Sequence, residues 1–345
     1  MNYTELLTPE MQQTLAAAGY ETPTPIQAQS LETLLGGRDL VGIAQTGTGK
    51  TAAFAVPIIE KINPDNRKPQ ALILCPTREL ALQTTAVFKK LSPHKKMRTV
   101  SIYGGQSVHT QIQALRGGAQ VVVGTPGRVK DLIGQNALKL SNIRYVVLDE
   151  ADEMLDFGFL PDIKWILSTI PDERQMMLFS ATMSKEITGI AQSYLTKPAT
   201  IEVGERNEPT KTVRQMSIHT PESGKITTVN FLMKETDPRL TLIFCNTRHR
   251  VKTVTSKLNA AGLTTACIHG DLSQGQRNSI MRDFRAGKTP VLVATDVAAR
   301  GIDVDNIDLV INYDVPDKPE YYVHRIGRTG RAGHSGFAAT LVSEQ

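Results

Sequence analysis

Nine short β-rich runs, separated by stretches with helical spacing, constrain the fold of this chain more than any other feature. DLVGIA, ALILCP, QVVVGT, YVVLDE and MMLFSAT occupy the first half, and LTLIFCNT, TTACIHG, VLVATD and DLVINY the second. Strands that read as continuous apolar runs, rather than alternating ones, are buried on both faces, and intervening helices supply the crossovers of a parallel sheet. A chain of 345 residues also exceeds the size at which one core usually keeps growing. The stretch VGERNEPTKT is polar, carries Gly and Pro, and interrupts the rhythm. The sequence therefore predicts two α/β domains, 1–203 and 211–345, joined by a short linker at 204–210.

Composition narrows the class. The chain is 40% apolar and 21% charged, as in ordinary soluble globular proteins. No run approaches the roughly 18 apolar residues of a membrane span, and MNYTELLTPEM lacks the basic-then-apolar build of a signal peptide. Cys75, Cys245 and Cys267 lie in apolar, strand-like runs without ligand spacing, and read as buried free thiols of a cytoplasmic protein. The net charge of +5 is uneven. Residues 1–205 balance 20 Lys/Arg against 20 Asp/Glu, whereas residues 206–345 carry 19 against 14, so the whole excess sits in the second half. Such an excess points toward a polyanionic partner.

DLVGIAQTGTGKTAAFAVPIIEKI reads as a strand, a Gly/Thr turn and a helix. In a phosphate-binding loop of this kind, backbone N–H groups of Thr46, Gly47, Thr48 and Gly49 wrap the phosphates. Lys50 reaches the β and γ oxygens, and the Thr51 hydroxyl helps to hold Mg²⁺. The generic pattern has Gly where Ala44 stands. A second Gly-Lys-Thr, at 287–289, has its helix before and its strand after, which is the wrong order, so it reads as a turn.

One nucleotide grip thus serves two domains, and this bears on VVLDEADEML. Asp149, Glu150, Asp152 and Glu153 are four carboxylates within five positions, directly after an apolar run. They suit a helix start, where acids meet the positive end of the dipole. Downstream of a phosphate loop they suit a metal site better: Asp149 would hold Mg²⁺, and Glu150 would orient and deprotonate the attacking water.

DEAD at 149–152, with AQTGTGKT, PTREL at 76–80, TPGR at 125–128 and SAT at 180–182, resembles a DEAD-box ATP-dependent RNA helicase of superfamily 2. LIFCNT at 242–247, ATDVAARGID at 294–303 and HRIGRTGR at 324–331 continue the resemblance in order over nearly the whole chain. It implies two RecA-like domains, ATP and Mg²⁺ as cofactors, RNA as partner, and a protein acting as a monomer. GYETPTPIQ at 19–27 resembles the Q motif, which gives Gln27 the adenine edge and packs Tyr20 nearby. Tyr3 stands nearest to a further aromatic that is usually Phe in the family. Ser180 and Thr182 would couple hydrolysis to strand opening through Asp152. Asp303 would bind the ribose, and Arg328 and Arg331 would act as arginine fingers. His324 receives no catalytic role.

For RNA, the chain has one Trp and 5% aromatics, with no aromatic strip for stacking bases. Backbone-contacting residues are expected instead: Thr77, Arg78, Gly104, Gly105, Thr125, Arg128, Asn246, Thr247, Gln274, Arg277 and Thr295. Trp165, in a helical apolar pattern, is expected in the core. ATP and single-stranded RNA would each bind across both domains, cooperatively. Closure would bend one strand and open a short duplex locally, and hydrolysis would reset the cycle.

Overall fold

The computed structural model describes residues 3–45, 47–203, 213–299, 307–317, 319–330 and 335–343, without the side chains of residues 3, 4, 274, 297 and 320. It divides into two compact units, Met1–Gly204 and Glu205–Gln345.

The first unit holds strands β1 (Leu40–Ala44), β2 (Ala71–Leu74), β3 (Thr99–Ile102), β4 (Val121–Gly124), β5 (Tyr145–Leu148), β6 (Gln175–Ser180) and β7 (Ala199–Val203). They form one sheet in the order β3-β4-β2-β5-β6-β1-β7. Every pairing in it is parallel. Alternate residues of a strand serve opposite cores. Val146 and Leu148 of β5 pack on one face with Ile163 and Ile187. Val147 packs on the other face with Phe54 and Phe88. Burial on both faces explains why the central strands read as unbroken apolar runs.

The second unit repeats the plan with β8 (Val213–His219), β9 (Thr241–Phe244), β10 (Thr265–Ile268), β11 (Val291–Ala294), β12 (Leu309–Asn312) and β13 (Gly336–Val342). Their order is β10-β11-β9-β12-β13-β8, again wholly parallel. Leu242 and Phe244 face one core and Ile243 the other. Both sheets are thus parallel and helix-flanked, the architecture of two RecA-like domains. Among the described residues no helix is long and apolar enough to cross a membrane.

Two expectations are corrected. Trp165 lies on the helix Leu160–Thr169 but is 38% exposed, with the Lys130 ammonium 5.8 Å from its ring centroid. That helix buries only Ile163, Ile166 and Leu167, and Trp165, two residues on from Ile163, falls on the face opposite that apolar stripe. Cys75 and Cys245 are buried and free, but Cys267 is only partly buried, because β10 is an edge strand. The expected linker falls within 204–212, outside the described residues.

Candidate nucleotide and RNA site

Parallel sheets collect their functional loops at the carboxyl ends of the strands. In the first unit β1 leads into the Gly/Thr turn, β5 into Asp149-Glu150 and β6 into Ser180. Gly47 and Gly49 both adopt left-handed backbone, with φ of 82° and 87°. At Gly49 a Cβ would meet Gln27 Nε2 at 2.4 Å, so a side chain there would strain the left-handed turn and displace the Gln27 amide. Thr48 Oγ1 donates to the Gln45 carbonyl at 2.8 Å. Lys50 opens the helix Lys50–Lys61 and is buried, its Nζ donating to the Ala44 carbonyl at 2.8 Å. Ala44 therefore contributes a carbonyl rather than a side chain, which is why Ala serves at this position. Thr51 is half-buried one residue on, and Thr46 lies outside the described residues.

Asp149 is buried at the end of β5. Burial pushes its carboxyl up to about 7, with Lys50 opposing and Glu150 reinforcing the shift. A carboxylate desolvated in this way gains strongly from a cation. An ammonium carries three donors, of which Lys50 uses one on Ala44. The glycine cradle, the buried ammonium and the buried acid together fit a phosphate chain with its Mg²⁺, which Asp149 and Thr51 would hold. Glu150 adopts left-handed backbone, φ 52° and ψ 55°, at the turn from β5 into the helix Ala151–Asp156. Strain at a non-glycine residue is retained where surrounding structure over-determines it, commonly at functional sites.

Asp152 ties this turn to the loop after β6. Its Oδ2 accepts from Ala181 N–H at 3.1 Å, Thr182 N–H at 3.0 Å and Thr182 Oγ1 at 3.2 Å. Its own N–H donates to Ser180 Oγ at 3.3 Å. Four hydrogen bonds thus join the turn after β5 to residues 180–182.

Gln27 occupies a place that the sequence does not reveal. Its Oε1 accepts from Thr24 N–H at 3.0 Å and its Nε2 donates to the Gly49 carbonyl at 3.1 Å. The amide thus braces the phosphate loop directly. Tyr20 is half-buried, with the Lys90 ammonium 5.4 Å from its ring centroid and its phenol pushed up by burial. Nothing is described of the side chain of Tyr3.

The threonines expected to meet RNA share one device. Thr77 and Thr247 are N-caps of Arg78–Leu91 and Arg248–Ala260, accepting from Leu80 N–H and Arg250 N–H, each at 3.2 Å. Thr295 Oγ1 accepts from Ala298 N–H at 3.3 Å, and Thr125 precedes Pro126–Gly134. Each sits at a helix N-terminus, where the dipole and free N–H groups favour phosphate. The Arg78 guanidinium lies 4.4 Å from the Tyr103 ring centroid, next to Gly104-Gly105. Arg128 Nη1 donates to the Gln106 carbonyl at 3.1 Å.

In the second unit Asn246 and Arg277 are engaged within the fold. The Asn246 amide donates to the Val315 carbonyl at 3.0 Å and to Asp317 Oδ1 at 3.1 Å. Arg277 Nη2 donates to the Ala298 carbonyl at 2.6 Å. Sequence reasoning missed Arg325, the hub of this unit. It is 1% exposed and bridges Asp296, Asn246 Oδ1 and the Asp314 carbonyl at 2.6–2.8 Å. Its signal was its place in HRIGRTGR beside Arg328, which is itself buried. Asp303 and Arg331 lie outside the described residues, as does the side chain of Gln274.

Two family models match this chain. The DEAD/DEAH box helicase model matches residues 24–190, and the helicase conserved C-terminal domain model matches residues 224–333. This chain belongs to the DEAD-box helicase family. The DEAD-box ATP-dependent RNA helicase CshA of Bacillus licheniformis is 45% identical over 337 residues, covering 98% of this chain and 69% of that protein. CshA of Bacillus subtilis is 44% identical, covering 98% and 68%. Among solved structures, Saccharomyces cerevisiae Dbp5 bound to RNA and ADP BeF3 matches this DEAD-box chain with a TM-score of 0.88 at 33% identity. That match covers 99% of this chain and 90% of the other. A DEAD box protein of Methanococcus jannaschii matches with a TM-score of 0.57 at 40% identity, covering 98% and 92%.

Proposed function

We propose that this chain is an ATP-dependent RNA helicase that separates short duplexes locally. The observation that carries the reading is the glycine turn at 47–49 with buried Lys50 at its end, within electrostatic reach of buried Asp149, and with Asp152 joining the turn after β5 to Ser180 and Thr182. The backbone of Gly47, Thr48 and Gly49 receives the phosphates of ATP, Lys50 neutralises the β and γ oxygens, and Gln27 braces the loop toward the adenine side. Asp149 and Thr51 would hold Mg²⁺, which would supply counter-charge to the phosphates. Glu150 orients the attacking water and accepts its proton. Arg328 and Arg331 complete the charge stabilisation, an effect worth roughly 10³–10⁵ in rate for arginines supplied to a transferring phosphoryl group.

RNA is held by its backbone, through Thr77, Arg78, Gly104, Gly105, Thr125 and Arg128 of the first unit and Thr247, Gln274 and Thr295 of the second. Asn246 and Arg277 act by shaping that surface. ATP and RNA each favour the closed form and so strengthen one another's binding. Closure bends one strand and parts the duplex, and hydrolysis reopens the chain. That Dbp5 was solved with RNA and ADP BeF3 supports this reading.

The test is ATP turnover with and without single-stranded RNA, together with duplex separation, on one preparation. RNA-stimulated turnover with strand separation is the expected result, and RNA is expected to outcompete DNA of the same sequence. Turnover indifferent to RNA refutes the reading. Turnover without separation makes the chain an ATP-gated clamp instead.

A further inference from the structure

Gln111 lies on the helix Val108–Arg116, outside every motif above, and is 2% exposed. Its Nε2 donates to the Tyr103 carbonyl at 2.9 Å and to Gln106 Oε1 at 3.2 Å. Its Oε1 accepts from Tyr103 N–H at 3.3 Å and from Arg128 Nη1 at 3.2 Å. Both donors and both lone pairs of the amide are used. The orientation follows from chemistry: exchanging O and N would aim N–H groups at the Tyr103 N–H and the Arg128 guanidinium, neither of which accepts.

This one side chain joins three separate pieces of the expected RNA surface. It fixes both backbone groups of Tyr103, whose ring carries the Arg78 guanidinium at 4.4 Å. It holds Arg128, which also reaches the Gln106 carbonyl. Between these anchors stand Gly104 and Gly105. Gly104 has no left-handed φ, and nothing lies within 4 Å of a Cβ built on it. The fold itself therefore does not require glycine there. A methyl group added there would meet only what approaches from outside.

We propose that Gln111 is a positioning residue for RNA binding. It locks the Tyr103–Gln106 turn to Arg128, so that Arg78, Gly104-Gly105 and Arg128 meet the phosphate backbone as one preorganised surface. Arginine side chains ordered in advance lose less entropy on binding. The proposal rests on the RNA reading above.

The experiment uses the full chain with Gln111→Met, which keeps the length of the side chain, and Gln111→Glu, which keeps the acceptor facing Arg128 but removes the donor to Tyr103. ATPase is titrated with single-stranded RNA, and unfolding temperature is recorded alongside. Gln111→Met is expected to raise the half-saturating RNA concentration about tenfold, with the rate at saturating RNA within about twofold of wild type. The salt dependence of RNA binding should flatten by about 0.7 in slope for each phosphate that is no longer neutralised. Gln111→Glu should raise half-saturation less. Added to Arg128→Ala, Gln111→Met should produce less than its own separate effect, because the two act as a unit.

A merely structural glutamine lowers the unfolding temperature and moves none of these RNA readouts. Unchanged half-saturation in folded Gln111→Met, or strict additivity with Arg128→Ala, overturns the proposal. Should Gln111→Met not fold, unchanged half-saturation in Gln111→Glu overturns it equally. Wild-type ATPase that RNA fails to stimulate overturns the underlying RNA reading, which the titration of wild type reveals separately.

Discussion

Arg325→Met should loosen the second unit out of proportion to the size of the change. The guanidinium is buried, with Nε on Asp296 Oδ1 at 2.6 Å and Nη2 on Asp296 Oδ2 at 2.7 Å, a two-pronged pair. Nη1 reaches the Asp314 carbonyl at 2.7 Å, and Nη2 also reaches Asn246 Oδ1 at 2.8 Å. Methionine fills much of the volume beside Phe244 but leaves the Asp296 carboxylate without its counter-charge. Removing one partner of a buried pair costs about 3–5 kcal/mol. The Asp296 side chain keeps 19% of its surface exposed, so water offsets part of the loss and the lower end, about 3 kcal/mol, applies. At 1.4 kcal/mol per decade, this is roughly a 10²-fold loss of protection. The assay is native-state hydrogen exchange of the β9 and β12 amides, which flank this cluster. Arg325→Met with Asp296→Asn should regain part of the protection, because the buried negative charge is gone. A single variant with protection within a few-fold of wild type, or a double variant no better than the single, refutes the argument that a desolvated ion pair governs this region.

Lys50→Ala should remove ATP binding and turnover, and wild-type-like ATPase would withdraw the phosphate-loop assignment. Glu150→Gln should bind ATP and stay on RNA, read as slow RNA release in ATP; release as fast as wild type argues against water activation by Glu150. Gly104→Ala should leave the unfolding temperature unchanged, since the site is open, yet weaken RNA binding several-fold; a titration with a non-hydrolysable ATP analogue checks both halves. His94 gives a pH prediction. Thr14 Oγ1 spends its proton on the Glu10 carbonyl at 2.8 Å, so His94 Nδ1–H donates to Thr14 at 2.9 Å and Nε2 stays buried without a partner. Burial, then Lys95, holds this imidazole below the ordinary histidine value. Its stabilising contribution is complete above about pH 6.5 and is lost as pH falls through the lower folded-state value. His94→Gln should flatten the pH dependence of unfolding of the first unit in that acidic window, and an unchanged profile refutes the assignment.

How much of this could be read from sequence depends on whether the physics is local. Most central strands were legible because burial on both faces leaves an unbroken apolar run; Gly336–Val342, which lies between β12 and β8, is the exception, its Gly and Ala residues diluting that run. Ala199–Val203 and Val213–His219 were not, because both are edge strands whose residues are mostly exposed or half-buried. An edge strand carries less apolar code than a central one. The phosphate loop and Asp149-Glu150 were legible because each is contiguous. Gln27 bracing Gly49, Asp152 reaching Thr182 and Arg325 meeting Asn246 are separated by 22, 30 and 79 positions, and no local pattern announces such partnerships.

One repeat lies between these cases. ALILCPTR in the first unit and TLIFCNTR in the second each run from a buried strand, through a buried cysteine, into a threonine N-cap. The caps agree closely, with Thr77 at φ −126°, ψ 157° and Thr247 at φ −129°, ψ 152°. A threonine cap uses its oxygen as an acceptor within the helix and keeps its O–H for something outside. Both units therefore present a donor at a helix N-terminus beside a basic residue, Arg78 or Arg248. What differs is the neighbourhood: the glycine cradle and Asp149 in the first unit, and the Arg325 cluster in the second. On the function proposed above, the matched caps would give both units the same way of meeting phosphate, while the lysine loop and Asp149 would serve ATP from the first unit alone.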